Sequence, residues 1–147
     1  MLLDSFCSAS DSNEGAILEL IHTVYQPPGD GPHPAILALH GRGANAFDLV
    51  GLAPYLCGGQ FLIICPQAPL ELPIGPDAFG YAWYSLSAGG PPDLAGMLAS
   101  QRKLQTFLDQ CLTRYPIDAK KLLVLGFSQG ELWPMAWRWR IPSGSPP

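Results

Sequence analysis

Apolar and polar positions along this 147-residue chain fall into short continuous runs and longer periodic ones, separated by proline and glycine. "AILELIHTVYQP" (16–27) mixes β-branched and apolar residues with polar ones, as a partly exposed strand does. "PPGDGPHP" (27–34) holds too much proline and glycine for a helix or a central strand and predicts a loop. "AILALHGRGANAFDLVGLAPYL" (35–56) gives an apolar run, a glycine-broken turn and an amphipathic segment, hence strand, loop and helix. Asn45 with Asp48 three residues on marks the expected helix start, with Phe47, Val50 and Leu52 among its buried residues. "QFLIICPQAP" (60–69) repeats the buried-strand pattern and stops at Pro66.

Residues 66–92 are rich in Pro and Gly yet carry Phe79, Tyr81, Trp83 and Tyr84. They predict a long loop whose aromatics either wall a pocket or cover one face of a sheet. The strongest periodicity lies in 93–116, where Leu94, Met97, Leu98, Leu104, Phe107, Leu108, Cys111 and Leu112 recur at i, i+3, i+4 spacing with Gln101 the polar exception. This is an amphipathic helix that Pro116 ends. "KKLLVLGF" (120–127) is again a short buried strand. Buried strands near 35–40, 61–65 and 121–126, alternating with helices near 46–56 and 93–114, predict the α/β class: a mainly parallel sheet with helices on both faces.

Composition narrows the partners. With 48% hydrophobic and 14% charged residues the chain suits one globular domain with a real core. A formal net charge of −4 argues against nucleic acid, whose binding rests on phosphate neutralisation by Lys and Arg. Asp4 stands where a secretory leader needs positive charge, so a frayed start and a cytoplasmic protein are expected. No apolar run approaches the roughly 18 residues that span a bilayer. Cys7, Cys57, Cys65 and Cys111 lack CxxC or Cys/His ligand spacing and are expected to be mostly buried free thiols.

The chemistry concentrates in two places. Gly126-Phe127-Ser128-Gln129-Gly130 is a Gly-x-Ser-x-Gly turn directly after a predicted buried strand, the context of a nucleophile elbow. His40-Gly41-Arg42-Gly43 closes another predicted strand, and such a loop can aim a backbone N–H at the oxygen that becomes negative during acyl transfer. The N–H of the residue after the serine is the second donor. One such donor is worth about 3 kcal/mol, so finding both features in one chain points to a serine hydrolase.

"LALHGRGANAFDL", "ICPQAP" followed by Gly80 and "AWY" (82–84), and "LVLGFSQG" occur in an order that resembles the carboxylesterase/phospholipase family of α/β-hydrolases, which includes the acyl-protein thioesterases. The resemblance covers roughly residues 16–130 and is specific in three places. It implies an N-terminal portion of an α/β-hydrolase domain over 1–130, with Ser128 as nucleophile, the Arg42 and Gln129 N–H groups as oxyanion hole, and Trp83 lining the acyl site. It further implies small-molecule carboxylic ester or thioester substrates and chemistry without metal or cofactor.

The pattern then breaks. A serine hydroxyl needs a base to take its proton and an acid to orient that base, in the chain order Ser, Asp or Glu, His. No histidine follows Ser128, and the only later carboxylate side chain is Glu131. His40, near the elbow, is expected to orient the oxyanion loop rather than serve as base; His22 and His33 are expected to be non-catalytic. Residues 131–147 form an aberrant tail: Pro134 falls inside the helix the elbow should feed, and three of four tryptophans crowd into 133–139. Read from the third nucleotide of permitted codons, the tail yields an Ala-rich helical segment whose Gly and interior Ala follow from the Trp, Ala and Arg codons. A frameshift just after Gly130, with loss of the C-terminal third, is therefore expected. It predicts little or no turnover and self-association through an uncovered apolar sheet edge. Two competing readings are a non-catalytic α/β binding module and a membrane-surface anchor at Trp137-Arg138-Trp139-Arg140. The prolines break any amphipathic helix that would carry the anchor, so no stable membrane insertion is expected.

Overall fold

The computed structural model describes Leu3–Asp4 and residues 17–131. A five-stranded mixed sheet runs in the order β1-β2-β4-β3-β7, from β1 (Leu3–Asp4), β2 (His22–Tyr25), β3 (His33–Leu39), β4 (Leu62–Pro66) and β7 (Ile117–Gly126). β3 pairs parallel with β4 (Ile36↔Ile63) and with β7 (Leu39↔Gly126), while β2 pairs antiparallel with β4 and β1. β3 and β4 are continuous apolar runs because both of their faces are buried. Leu37, Leu39, Leu62 and Ile64 face the core under helix α1 (Leu94–Arg114). Ile36, Ala38, Ile63 and Cys65 face Leu49, Val50 and Ala53 on the other side. Part of the α/β-hydrolase architecture expected from the sequence is thus present: the parallel pairs are β4-β3 and β3-β7, the sheet as described is mixed, and its second face is covered by 3₁₀ segments rather than an α-helix.

Several elements differ from expectation. β2 is confined to four residues, all buried rather than partly exposed, because it lies between β1 and β4. Leu3–Asp4, in the start expected to be frayed, pair with Tyr25 and Val24. The helix expected over 46–56 is a turn followed by 3₁₀ segments at Val50–Tyr55 and Cys57–Gly59. Pro54 lacks the N–H an α-helix needs, and Gly58 adopts φ +66°. Asn45 still caps the turn, its Oδ1 accepting from the Phe47 N–H at 2.8 Å, but Phe47 and Leu52 are exposed and only Val50 is buried.

The loop expected over 66–92 contains a β-hairpin, β5 (Leu70–Gly75) with β6 (Ala78–Ala82), turning at Pro76-Asp77. Pro73 is tolerated because a two-stranded sheet leaves its N–H edge free. Helix α1 matches its prediction, capped by Asp93, whose side chain accepts from the Gly96 N–H. Its first turns are less buried than the periodicity implies: Leu94 and Leu98 are exposed, while Leu104, Phe107, Leu108 and Cys111 form the core face. β7 is not buried on both sides. Among the described residues it pairs only with β3, and Leu123 is 57% exposed. Of the cysteines, Cys65 and Cys111 are buried and Cys57 is exposed; Cys7 lies outside the described residues. The aberrant tail also lies outside them, Pro134 included, beyond the backbone of Glu131.

Candidate active site

Leu39 and Gly126 are register partners, so the parallel strands β3 and β7 deliver their following loops to the same sheet end. That carboxyl end is where open α/β sheets place their sites. The Phe127 N–H donates to the Leu39 carbonyl at 3.0 Å, and Ser128 then turns sharply with φ +50°. A left-handed serine costs of order 1–3 kcal/mol and is held by what surrounds it. Gly130 is the tightest constraint, since a Cβ there would lie 2.5 Å from the Leu39 carbonyl oxygen. Ser128 itself is exposed, so its hydroxyl is open to solvent and ligand.

The loop after β3 lies against this turn. A Cβ built on Gly41 would stand 3.3 Å from Ser128 Cβ and 3.4 Å from the Phe127 carbonyl oxygen. The hairpin holds the loop from its far side: the Gly43 N–H donates to Tyr81 O at 2.8 Å and the Tyr81 N–H to Ala44 O at 2.9 Å. Gly80 permits that approach, because a Cβ at Gly80 would sit 2.0 Å from Gly43 O. Among the described residues the backbone N–H groups of Arg42 and Gln129 donate to no other group, which leaves both available to a ligand oxygen.

His40 is 1% exposed, and both ring nitrogens are committed. Nδ1 donates to Gly41 O at 2.7 Å and Nε2 accepts from the Ala68 N–H at 3.1 Å, which defines a neutral imidazole. Burial lowers its pKa, against the opposing pull of its bond to the Gly41 carbonyl. It has no lone pair free to take a proton from Ser128, and it braces Gly41, on which a Cβ would crowd the serine. His22 bonds Leu20 O and the Tyr115 hydroxyl, and His33 donates to Gly29 O, so all three histidines have structural roles.

Trp83 is wholly buried. Its indole N–H donates to His40 O at 2.9 Å, and its carbonyl accepts from the Ser100 hydroxyl of α1. Gln129, 4% exposed, accepts at Oε1 from the Trp83 N–H (3.1 Å) and donates from Nε2 to Tyr84 O (3.1 Å). Arg42 reaches the same Tyr84 oxygen with its guanidinium at 3.4 Å. Asp93 accepts from the Ser85 and Gly96 N–H groups, joining this segment to the start of α1; these bonds, Ser85 first, hold its carboxyl below the usual range. Sequence reasoning missed the role of Tyr84 O, whose partners lie more than 40 residues away, and that of Asp93, which an acidic cap signal three residues before Gly96 at the start of α1 could have revealed. Among the described residues no three His, Cys, Asp or Glu side chains group closely enough to hold a metal ion, and no helix is long and apolar enough to cross a membrane.

This turn-and-loop pair agrees with the comparison to known proteins: residues 21–135 match the phospholipase/carboxylesterase family. The chain belongs to that family. Its fold is similar to a carboxylesterase from Mesorhizobium loti, with TM-score 0.68 and 16% identity over 84% of this chain and 57% of that one. It is also similar to a Bacillus cereus carboxylesterase, with TM-score 0.65 and 22% identity over 80% of this chain and 52% of the other. The chain thus spans little more than half of each of these family folds.

Proposed function

We propose that Ser128 is the nucleophile of a serine hydrolase acting on small carboxylic esters or thioesters, with the Arg42 and Gln129 N–H groups receiving the oxyanion. The observation that carries this reading is Ser128 itself: an exposed serine at φ +50°, its Cβ against Gly41 and its turn closed by Gly130 on Leu39. Attack of Ser128 Oγ on the acyl carbon breaks the C=O π bond and places the negative charge on the carbonyl oxygen between the two donors. Collapse expels the alcohol or thiol and leaves an acyl-serine for water to cleave. Trp83, being buried, serves from below, holding the His40 carbonyl and the Gln129 side chain rather than offering an open wall.

The proton from Ser128 Oγ needs an acceptor, and none of the three histidines supplies one. Removing a triad member leaves roughly the 10³- to 10⁴-fold acceleration that binding and the oxyanion hole provide. These 147 residues therefore bind small acyl ligands weakly and turn esters over barely above background. A frame-corrected chain that carries an acid and a histidine after Ser128 would supply that acceptor and is expected to turn esters over efficiently through Ser128. The test is labelling by a fluorophosphonate probe and hydrolysis of a short-chain aryl ester, in both chains, each with and without Ser128→Ala. Robust Ser128-dependent turnover by the short chain refutes the missing-base account.

The second reading, a non-catalytic small-ligand binding module, is favoured by the commitment of both ring nitrogens of His22 and of His40 to structural hydrogen bonds. It predicts ligand binding with no Ser128-dependent chemistry in either chain.

A further inference from the structure

Gln129 carries two separate groups: a backbone N–H to which the reading above gives the oxyanion, and a buried side chain that the reaction does not use. That side chain spans consecutive residues of another segment, accepting from the Trp83 N–H and donating to the Tyr84 carbonyl, both at 3.1 Å. A carboxamide presents one acceptor and one donor in this fork without any change of protonation, so the partners fix its orientation: oxygen to the N–H, nitrogen to the carbonyl. The Tyr84 oxygen also receives the Arg42 guanidinium at 3.4 Å, which fills its second lone pair. One carbonyl therefore ties together the two residues whose N–H groups form the oxyanion site, one from the loop after β3 and the other from the turn after β7.

We propose that the Gln129 side-chain amide is a positioning residue that sets the spacing of the Arg42 and Gln129 N–H donors through the shared Tyr84 carbonyl. The inference rests on the nucleophile reading of Ser128 and adds a residue role to it. The physical reason is preorganisation: donors must stand in place before charge develops, and a misplacement of about 1 Å can cost ~10²-fold in rate. Neither Ser128 nor the loop after β3 can set that spacing alone, because no hydrogen bond joins them directly among the described residues. The bridge through residues 83–84 supplies the missing polar link.

The test uses the whole chain and Gln129→Met, which keeps length and volume and removes both bonds. Two quantities are read: Ser128 acylation by p-nitrophenyl acetate, followed by intact mass, and amide hydrogen exchange at Trp83. The expected result is an acylation rate lowered by roughly 10²-fold at unchanged ester concentration dependence. Trp83 exchange should be faster by at least about tenfold, with Ile36 and Ile63 in the central strands unchanged. Unchanged Trp83 exchange overturns the proposal, and so does a Gln129→Met chain that keeps the Ser128-dependent rate. A parent chain that reacts equally well as Ser128→Ala overturns the nucleophile reading and this inference with it, so the two failures are distinguishable. Should Gln129→Met not fold, the parent chain alone decides. Its Gln129 Nε2 protons should exchange at least about tenfold more slowly than those of an exposed glutamine, and exchange at the exposed rate overturns the bridge.

Discussion

Gly41 leaves no room for a methyl group beside Ser128: an ideal Cβ built on Gly41 would stand only 3.3 Å from Ser128 Cβ. The loop after β3 therefore lies against the turn that carries Ser128 at a residue that has no side chain. Gly41→Ala must push the serine or the Phe127 carbonyl by a few tenths of an ångström. The expected outcome is a fold that melts near the parent temperature while Ser128 phosphonylation by a fluorophosphonate slows by roughly tenfold or more, the sensitivity that near-attack geometry implies. Labelling at the parent rate would show that the contact has slack.

Gly80→Ala makes a harsher collision, since its Cβ would lie 2.0 Å from Gly43 O, a backbone atom with no rotamer to escape into. The hairpin or the loop after β3 must move. We expect destabilisation of about 1–3 kcal/mol in urea unfolding, together with weakened ligand binding at Ser128. An unchanged midpoint would mean that the hairpin shifts freely.

His40 and His22 both have pKa values lowered first by burial, so their charged forms are disfavoured in the fold relative to the ordinary value of 6.5. The unfolded chain then binds more protons below 6.5, and the stability these groups contribute is present above that pH and lost as pH falls through their folded values. Melting temperature should drop from pH 7 to pH 5, and His40→Gln should flatten part of that slope. A slope identical in the variant would assign it to other groups. Asp93, also lowered, adds its loss further down, below the ordinary aspartate range.

Burial pushes the Cys65 and Cys111 thiols up to about 12, whereas Cys57 is exposed. An aromatic disulfide reagent at pH 8 should therefore modify Cys57 quickly and reach Cys65 and Cys111 only on unfolding. Peptide mapping after timed labelling checks this; early modification at Cys65 would contradict the packing of β4.

β7 presents an exposed Leu123 on a strand with one partner among the described residues. Open apolar edges recruit other chains, so we expect concentration-dependent association. Leu123→Lys should reduce it in sedimentation velocity. A parent chain that stays monomeric at high concentration would remove the edge as the cause.

Ser128, Gly130 and the strand–turn context of β7 were legible in the sequence because an elbow is local: its strain, its glycine and its strand lie within a few residues. The core residues of β3, β4 and the later part of α1 were legible for the same reason, since period and apolarity are local properties. The hairpin over 70–82 was not, because its proline and glycine content hid a pairing that only cross-strand register reveals. Nor was the 3₁₀ character of 50–59 evident, where Pro54 and Gly58 outweighed an amphipathic pattern. Tertiary structure alone decided that His40 is a neutral brace, that Trp83 is sealed beneath the site, and that Gln129 and Arg42 share the Tyr84 carbonyl. Those facts depend on groups 28 to 45 residues apart meeting in space, and hydrogen-bond partners at such separations leave no imprint on either residue's neighbours in the chain.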